Sequence, residues 1–580
     1  MMMTRATRLI CVLGITAACG ASAVLAVWPA DAWAGSTSPV VGRIFTIGGA
    51  LRWTGPADER ALATSAALQD PAVAATPDGG YLIAETQGDS VLRVSTSGTV
   101  SVAAGGKSYG LQGDGGPATQ ASLSEPGGVS ATADGGFLIA DTLNDTVRRV
   151  WPDGHISTVA GTGTSGFTGD GGPASAASLA FPKGVAAMAD GGFLIADTSN
   201  NRVRRVWPDG HISTVAGNGK RTFVFAGDGG PATLAALASP GAVAALPDGG
   251  FLVADTYNSR VRRVWPDGHI STVAGNGGDS GAGDGGPATS AAISFVNSVA
   301  VLPAGGFLIG SEAGVWQVSP AGQISRIIHT RSGAFSGDGA PVSGAMLYGP
   351  EESEVPSVAS LADGGTLIGF GNTVRLIVGP NGTDFLGAAI KPLAGVVSRG
   401  AYTAKIVLTK PAHIVIRLFR SGNSQPVAIA QADRPAGESR LTVRLRHHSA
   451  PGLFAIDMRV TTGAQTTRAE QYVYLGGSLT TNTVRSIDAN TIEDELSNDP
   501  NAVVSVGRCH QFGPLRVDCA VTGDLNYVWA SWLTRQGQLR SRAYEASWVR
   551  HPPVFERNAH WSGPALWRDL GAAWIPRTGY

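Results

Sequence analysis

GFLIADTSNNRVRRVWPDGHISTVAGNG, from Gly192 to Gly219, decides how the chain is read. It recurs as GFLIADTLNDTVRRVWPDGHISTVAGTG from Gly136 and as GFLVADTYNSRVRRVWPDGHISTVAGNG from Gly250. In the middle copy three apolar runs, Phe193–Ala196, Val203–Val206 and Ile212–Ala216, are cut by Asp197–Asn201 and Pro208–Gly210. Short runs rich in Val, Ile and Phe, bounded by Asn, Asp, Gly and Pro, are antiparallel strands joined by tight turns. Successive Asp-Gly-Gly triplets lie 56 residues apart (Asp134 to Asp190) and 58 apart (Asp190 to Asp248). A long period made only of strands predicts repeated small sheets, and their radial stacking is a β-propeller.

The triplet followed by an apolar run occurs at Asp78, Asp134, Asp190, Asp248 and Asp363, and Ala304-Gly305-Gly306 is a weakened copy. Six four-stranded units follow. In the third, the strands are expected at Gly184–Met188, Phe193–Asp197, Arg202–Trp207 and His211–Ala216. The sixth has Ser357–Leu361, Thr366–Phe370 and Thr373–Val378 but no outer strand. Arg43–Gly49, isolated near the start, has the look of the missing strand. Residues 43–48 are therefore expected beside Thr373–Val378, which closes the ring and removes a free sheet edge.

An inner strand after Pro, then DGGFLIADTxNxRVRRV, PDGHISTVAG and GDGGPA, resembles the NHL repeats of bacterial exported proteins. The pattern is similar to the NHL propeller of teneurins and, in fold, to peptidylglycine amidating lyase. The resemblance covers about residues 42–380 and implies a six-bladed propeller. It does not imply a function, because one fold hosts many. The lyase resemblance would require histidines converging on the channel to hold zinc. His155, His211 and His269 instead begin the outer strands, far from one another, and His329 is isolated.

The 580-residue chain has a net charge of −1 and only 15% charged residues, which argues against a nucleic-acid surface. Arg5 and Arg8 precede an uncharged run from Leu9 to Ala30, followed by small-x-small cleavage sites. Residues 1–34 therefore resemble a secretory signal peptide, with an uncleaved anchor as the alternative. Export to the outside or the cell surface follows, with membrane contact only through that segment if it is retained. Cys509 and Cys519 then remain in the mature chain and are expected to pair.

Two repeated motifs carry candidate binding residues. GDGGPA sits in links of over 20 residues between units and supplies Asp114, Asp170, Asp228 and Asp284, with a worn fifth copy at Asp338. The ADTxN turn supplies Asp141/Asn144, Asp197/Asn200 and Asp255/Asn258, with Glu85 in the first unit. Turn chemistry alone would produce both motifs. Alternatively, an arc of Glu85, Asp141, Asp197 and Asp255 beside long links forms a partner surface. The turn order places both motifs on one face. At the entrances of the inner strands sit Asp70, Glu125, Lys183 and Asn297, the set a lactonase-like propeller would use around a divalent ion. No catalytic residue and no cofactor is assigned, and the channel ion is the one exception considered.

From about Lys391 the repeat is gone. Six or seven alternating runs over 391–477 suggest an immunoglobulin-like sandwich. Residues 482–580 suggest a small α+β unit, with helical spacing at Asp488–Leu496, four short strands and a tail rich in Trp. The reading as a whole is a mainly β, exported, non-catalytic scaffold binding a protein, peptide or glycan on the face of its loops. The rival is a metal-dependent lactonase- or lyase-like enzyme with its site at the channel.

Overall fold

The computed structural model describes residues 43–48, 68, 70–106, 110–220, 225–332, 341–349 and 355–380. It also describes 383, 388–392, 401–420, 425–444, 452–463, 465–475, 505–511, 516–522, 527–533, 539–546 and 567–569. Residues 43–380 build six sheets. In the third, Pro182–Ala187, Phe193–Asp197, Arg202–Val206 and Ile212–Ala216 follow one another as an antiparallel meander. The first, second and fourth sheets begin at Pro71, Pro126 and Pro240 and repeat this order. The inner strands of all six neighbour one another in sequence, and Ser357–Ser360 of the sixth meets Pro71–Ala75 of the first. The sheets are thus blades of a closed ring, a β-propeller.

The second strand of each blade explains why the blades stack. Phe193–Asp197 is buried at every residue, and successive side chains of a strand point to opposite faces. Phe193 and Ile195 pack with Leu138 and Ala140 of the preceding blade. Leu194 and Ala196 pack with Phe251 and Val253 of the following one. One FLIA run therefore fills two seams. The same division recurs around the ring, up to Leu367 of the sixth blade against Tyr81 and Ile83 of the first.

The ring closes as expected. Ile44–Gly48 is the outer strand of the sixth blade, antiparallel to Thr373–Ile377, with Ile44 opposite Ile377 and Phe45 opposite Leu376. The fifth blade holds an element that the repeat did not announce. Met346–Gly349 adds a fifth strand, parallel to Ile324–Ser332. It comes from the stretch after the worn Asp338 motif, which itself lies outside the described residues.

Beyond the ring, Ala388–Pro392, Ala401–Leu408 and Gly437–Arg444 form one sheet. Pro426–Arg434, Ala412–Arg420, Gly452–Thr462 and Gln465–Leu475 form a second. Ile406 and Val443 of the first share a core with Ile414, Ile416 and Met458 of the second, so the two pack face to face. The hairpin tip of the second sheet touches the first blade, where the Thr466 amide donates to the Ser97 carbonyl at 3.2 Å. The last described strands form one antiparallel sheet from Ser505–Gln511 to Trp567–Asp569. The segment expected to be helical, Asp488–Leu496, lies outside the described residues. So does the N-terminal segment 1–34. Among the described residues there is no α-helix, and none long and apolar enough to cross a membrane.

Phe45 is fully buried in the seam between the sixth and first blades. Phe45→Ala should therefore cost about 3–5 kcal/mol, readable as a lowered denaturant midpoint. Removing residues 43–48 altogether should leave Thr373–Ile377 as an open edge, and light scattering should then rise on storage. Unchanged stability of both variants would show that closure contributes nothing.

Candidate functional site

The repeated acids are placed inside the protein. Asp141, Asp197 and Asp255 are fully buried, and so are Arg148, Arg204 and Arg262. In the third blade the Asp197 carboxylate accepts from the Ala180 amide at 2.8 Å, the Asn200 side chain at 2.9 Å and Arg204 Nη1 at 3.4 Å. Arg204 Nη2 lies 2.8 Å from Asp170 Oδ1, and Asp170 Oδ2 accepts from the Thr214 hydroxyl at 2.6 Å. One guanidinium thus bridges the acid of the ADTxN turn and the acid of the GDGGPA link. The second and fourth blades repeat this with Asp141–Arg148–Asp114 and Asp255–Arg262–Asp228.

The other residues of the turn are equally engaged. The Thr198 hydroxyl donates to the Pro240 carbonyl of the next blade at 2.8 Å. The Asn200 amide also donates to Gly166 at 2.7 Å, and Asn144 does the same to Gly110 at 2.6 Å. Asn258 holds Asp255 at 2.9 Å and Ala236 at 3.3 Å. The other blades change the pair in different ways, and the sixth has Phe370 in place of the acid yet keeps a buried arginine, Arg375, at the register of Arg204. The fifth blade carries Ser311 and, at the register of Arg204, Trp316, whose indole N–H donates to Ser311 Oγ at 3.0 Å. In the first blade Leu92 replaces the arginine, and Glu85 turns to the Ser90 hydroxyl at 2.7 Å.

The links are not open loops. In the third blade Gly171 N donates to Ile212 O and Ile212 N to Gly172 O, at 2.8 and 2.9 Å, so the GDGGPA segment runs along the outer edge of the blade that it precedes. The same pairs recur at Ile156, Ile270 and Ile324. Gly169 is needed there: its φ is +88°, and a Cβ would come within 2.6 Å of the Ala177 Cα. Asp284 caps the fifth blade by accepting from the Arg326 amide at 2.8 Å. Asp141, Asp197 and Asp255 therefore face protein, whereas the link acids Asp114, Asp170 and Asp228 are paired with the buried arginines but keep 50, 38 and 35% of their side chains exposed.

Burial pushes Asp141 and Asp197 up to about 6, against their amide and arginine partners, and pushes Asp255 and Glu85 up as well. Asp114 goes the other way. Burial raises it, but the Thr158 amide and hydroxyl and the Arg148 guanidinium outweigh that and hold it low.

What remains open is the axis. All six inner strands line a cavity of about 760 Å³, and Asp70, Glu125, Lys183 and Asn297 stand at its mouth. The Gln87 side chain donates to Asp70 at 3.2 Å. Glu125 and Lys183 are exposed. Below them the wall is apolar, with Val129, Val185, Val243 and Val299. Two local devices aim the mouth residues. Asp70, Glu125, Phe181, Ser239 and Phe295, each just before an inner strand, have φ between +43° and +55°, where non-glycine residues are rare. Their strain is held from the preceding blade: Asp145 accepts from the Phe181 amide at 2.7 Å, and Asp89 from that of Glu125 at 2.8 Å. Lys183 and Asn297 sit at register shifts of their strands, and such bulges re-aim side chains. The sequence signal for this geometry, X-Pro at the head of the first four repeats, was visible, but its left-handed conformation was not.

The mouth opens among the ADTxN turns, since Thr86, Gln87 and Thr142 also line it. Among the described residues no histidine lines it. His155, His211 and His269 lie beside the PDG turns, next to Asp153, Asp209 and Asp267. Among the described residues no three His, Cys, Asp or Glu side chains come together as a metal site.

Comparison with known proteins agrees with this architecture. The NHL repeat family matches residues 179–206 and 237–264, which hold the first three strands of the third and fourth blades. The chain thus carries NHL repeats folded as propeller blades. No protein of curated function matches it. Among solved structures it is similar to a protein of unknown function from Bacteroides thetaiotaomicron (16% identity, 57% of this chain, 74% of that one, TM-score 0.40). It is also similar to an auxiliary nutrient binding protein from Bacteroides ovatus (13%, 57% and 75%, TM-score 0.40). A third is a gluconolactonase from Xanthomonas campestris (15%, 55% and 92%, TM-score 0.35).

Asp197→Ala would strand a buried Arg204, which should cost about 3–5 kcal/mol of stability. A carboxyl whose value is raised in the folded state binds its proton more tightly there than when unfolded. The raised Asp141 and Asp197 therefore favour folding below about pH 4 and lose that contribution as pH rises through about 6. Melting curves should show a shallower dependence between those limits in Asp197→Asn than in the native chain. An Asp197→Ala variant that melts like the native chain would return the acid to the list of binding residues.

Proposed function

We propose that the chain is a non-catalytic binding scaffold that works outside the cell or at its surface. It takes a protein, peptide or glycan ligand at the mouth of the propeller axis. The observation that carries this reading is a contrast. The repeat acids are consumed by arginines and amides, whereas Glu125, Lys183 and Asn297 converge, unshielded, on a cavity within the size range of ligand pockets. The face is the one expected from the turn order. The residues differ, with the entrance set replacing the arc.

A lactonase- or lyase-like activity would draw its ion ligands from the same mouth. Asp70 and Glu125 supply two carboxylates and Asn297 an amide, which falls short of the six to eight oxygens that calcium prefers. Binding needs no such set, and it is the reading we adopt. The low charge of the chain leaves nucleic acid out of the proposal.

Export carries its own expectation. Cys509 and Cys519 stand directly opposite in antiparallel register, a placement in keeping with a cross-strand disulfide. Protein recovered from outside the cell should take up no thiol reagent until it is reduced, and labelling of both cysteines beforehand would count against the pairing.

The binding reading is tested by thermal shift of the full chain against a panel of peptides and oligosaccharides. A compound that binds the mouth raises the melting temperature of the native chain. It should not do so for Glu125→Gln combined with Lys183→Met, and it should still do so for Asp209→Asn on the opposite rim. Stabilisation that survives the double change would place binding elsewhere. Turnover of a lactone in the presence of calcium, lost in the same double variant, would replace binding with catalysis.

A further inference from the structure

We infer that the mouth recognises a neutral oligosaccharide, a conclusion that rests on the binding reading above and specifies its ligand. The first observation is where the repeats differ. The second, third and fourth units are nearly identical along their strands and PDGHISTVAG turns. They differ in their links and at several other positions, three of which lie at or beside the mouth. The residue before the inner proline is Glu125, Phe181 and Ser239. The bulge position is Gly127, Lys183 and Gly241. The x of ADTxN is Leu143, Ser199 and Tyr257. The first two positions supply lining of the cavity, and the third supplies Gln87 in the first blade.

The second observation is how those residues are distributed. Asp70, Gln87 and Glu125 make one polar sector on the first two blades. Phe181, Tyr257 and Phe295 are exposed aromatic residues on the third to fifth, by 38, 52 and 42%, and of the three Phe181 lines the cavity. Tyr257 and Phe295 meet edge to face with centroids 5.2 Å apart, which fixes a small aromatic platform. Phe181 and Phe295 hold their rings out from left-handed backbone, the conformation a bulky residue avoids most. Strain of that kind, held from the neighbouring blade, marks a functional position.

The third observation is charge. Two carboxylates and one ammonium at the mouth supply acceptors and donors of both signs, and Gln87 and Asn297 supply both from one group. Neither a polyanion nor a polycation meets a uniform field there. A sugar without charge, with hydroxyls that both donate and accept and with apolar ring faces, is matched by the polar sector and by the exposed aromatic residues at once. The cavity of about 760 Å³ suits a few residues of such a chain.

The experiment uses the full chain on an array of maltopentaose, cellopentaose and chitopentaose, with oligogalacturonate and pentalysine as charged comparators. Variants Phe181→Ala, Tyr257→Ala and Glu125→Gln are exposed changes, and unchanged melting temperatures confirm their fold. At least one neutral sugar should be retained, with affinity falling about tenfold in Phe181→Ala and in Glu125→Gln. Retention should also hold between roughly 50 and 500 mM salt, because no charge pair carries it. Preference for oligogalacturonate or pentalysine, lost in the same variants, would overturn the neutral sugar while leaving the mouth as the binding site. Retention unaffected by all three variants would overturn both. Failure to retain any neutral sugar would overturn the inference outright.

Discussion

A buried guanidinium held between two carboxylates organises this molecule. Arg204 joins Asp197 at the end of its own blade's second strand to Asp170 on the link arriving from the blade before. Taking such a triad out of water is expensive, and it is tolerated only when the remaining hydrogen-bond capacity is met. Here the Ala180 amide, the Asn200 side chain and the Thr214 hydroxyl meet most of it, although the buried Arg204 Nε has no hydrogen-bond partner. What the triad fixes is a path for the chain. The link must run beside the outer strand for Asp170 to reach Arg204, and that course covers the edge the blade would otherwise expose.

The arrangement makes each blade dependent on its neighbours rather than self-contained. A link is clamped by the blade it enters, a threonine reaches forward to the next inner strand, and a left-handed entrance residue is held from behind. The apolar seams share the same logic, since a single FLIA run serves two interfaces. Rigidity of this sort frees the mouth from any structural duty.

The fold was legible because its signal is periodic. Asp-Gly-Gly marks counted the blades, and the stray strand Arg43–Gly49 was assigned by resemblance to Ile212–Gly217. The added strand Met346–Gly349 was not legible, because it falls where the motif is worn and the pattern gives no register. The site was only half legible. The turn order gave the face, but an Asp in a turn reads the same whether it points outward or folds back onto an arginine of the neighbouring strand. Only the register that sets Arg204 opposite Ile195 resolves that. The entrance set Asp70, Glu125, Lys183 and Asn297 was visible as isolated polar residues on apolar strands, and its convergence depends on a ring that no local pattern describes.

The strand Ile44–Gly48 carries a consequence for how the molecule comes into being. It is made first and used last, because its partner Thr373–Ile377 lies at the far end of the ring. Every chain shorter than that partner has an unmatched strand at each end, so the growing protein has no finished state to stop in. Contacts so distant in sequence form slowly. The ring therefore stays open while the polypeptide is still being made, and it locks only when the whole of the repeat region has arrived.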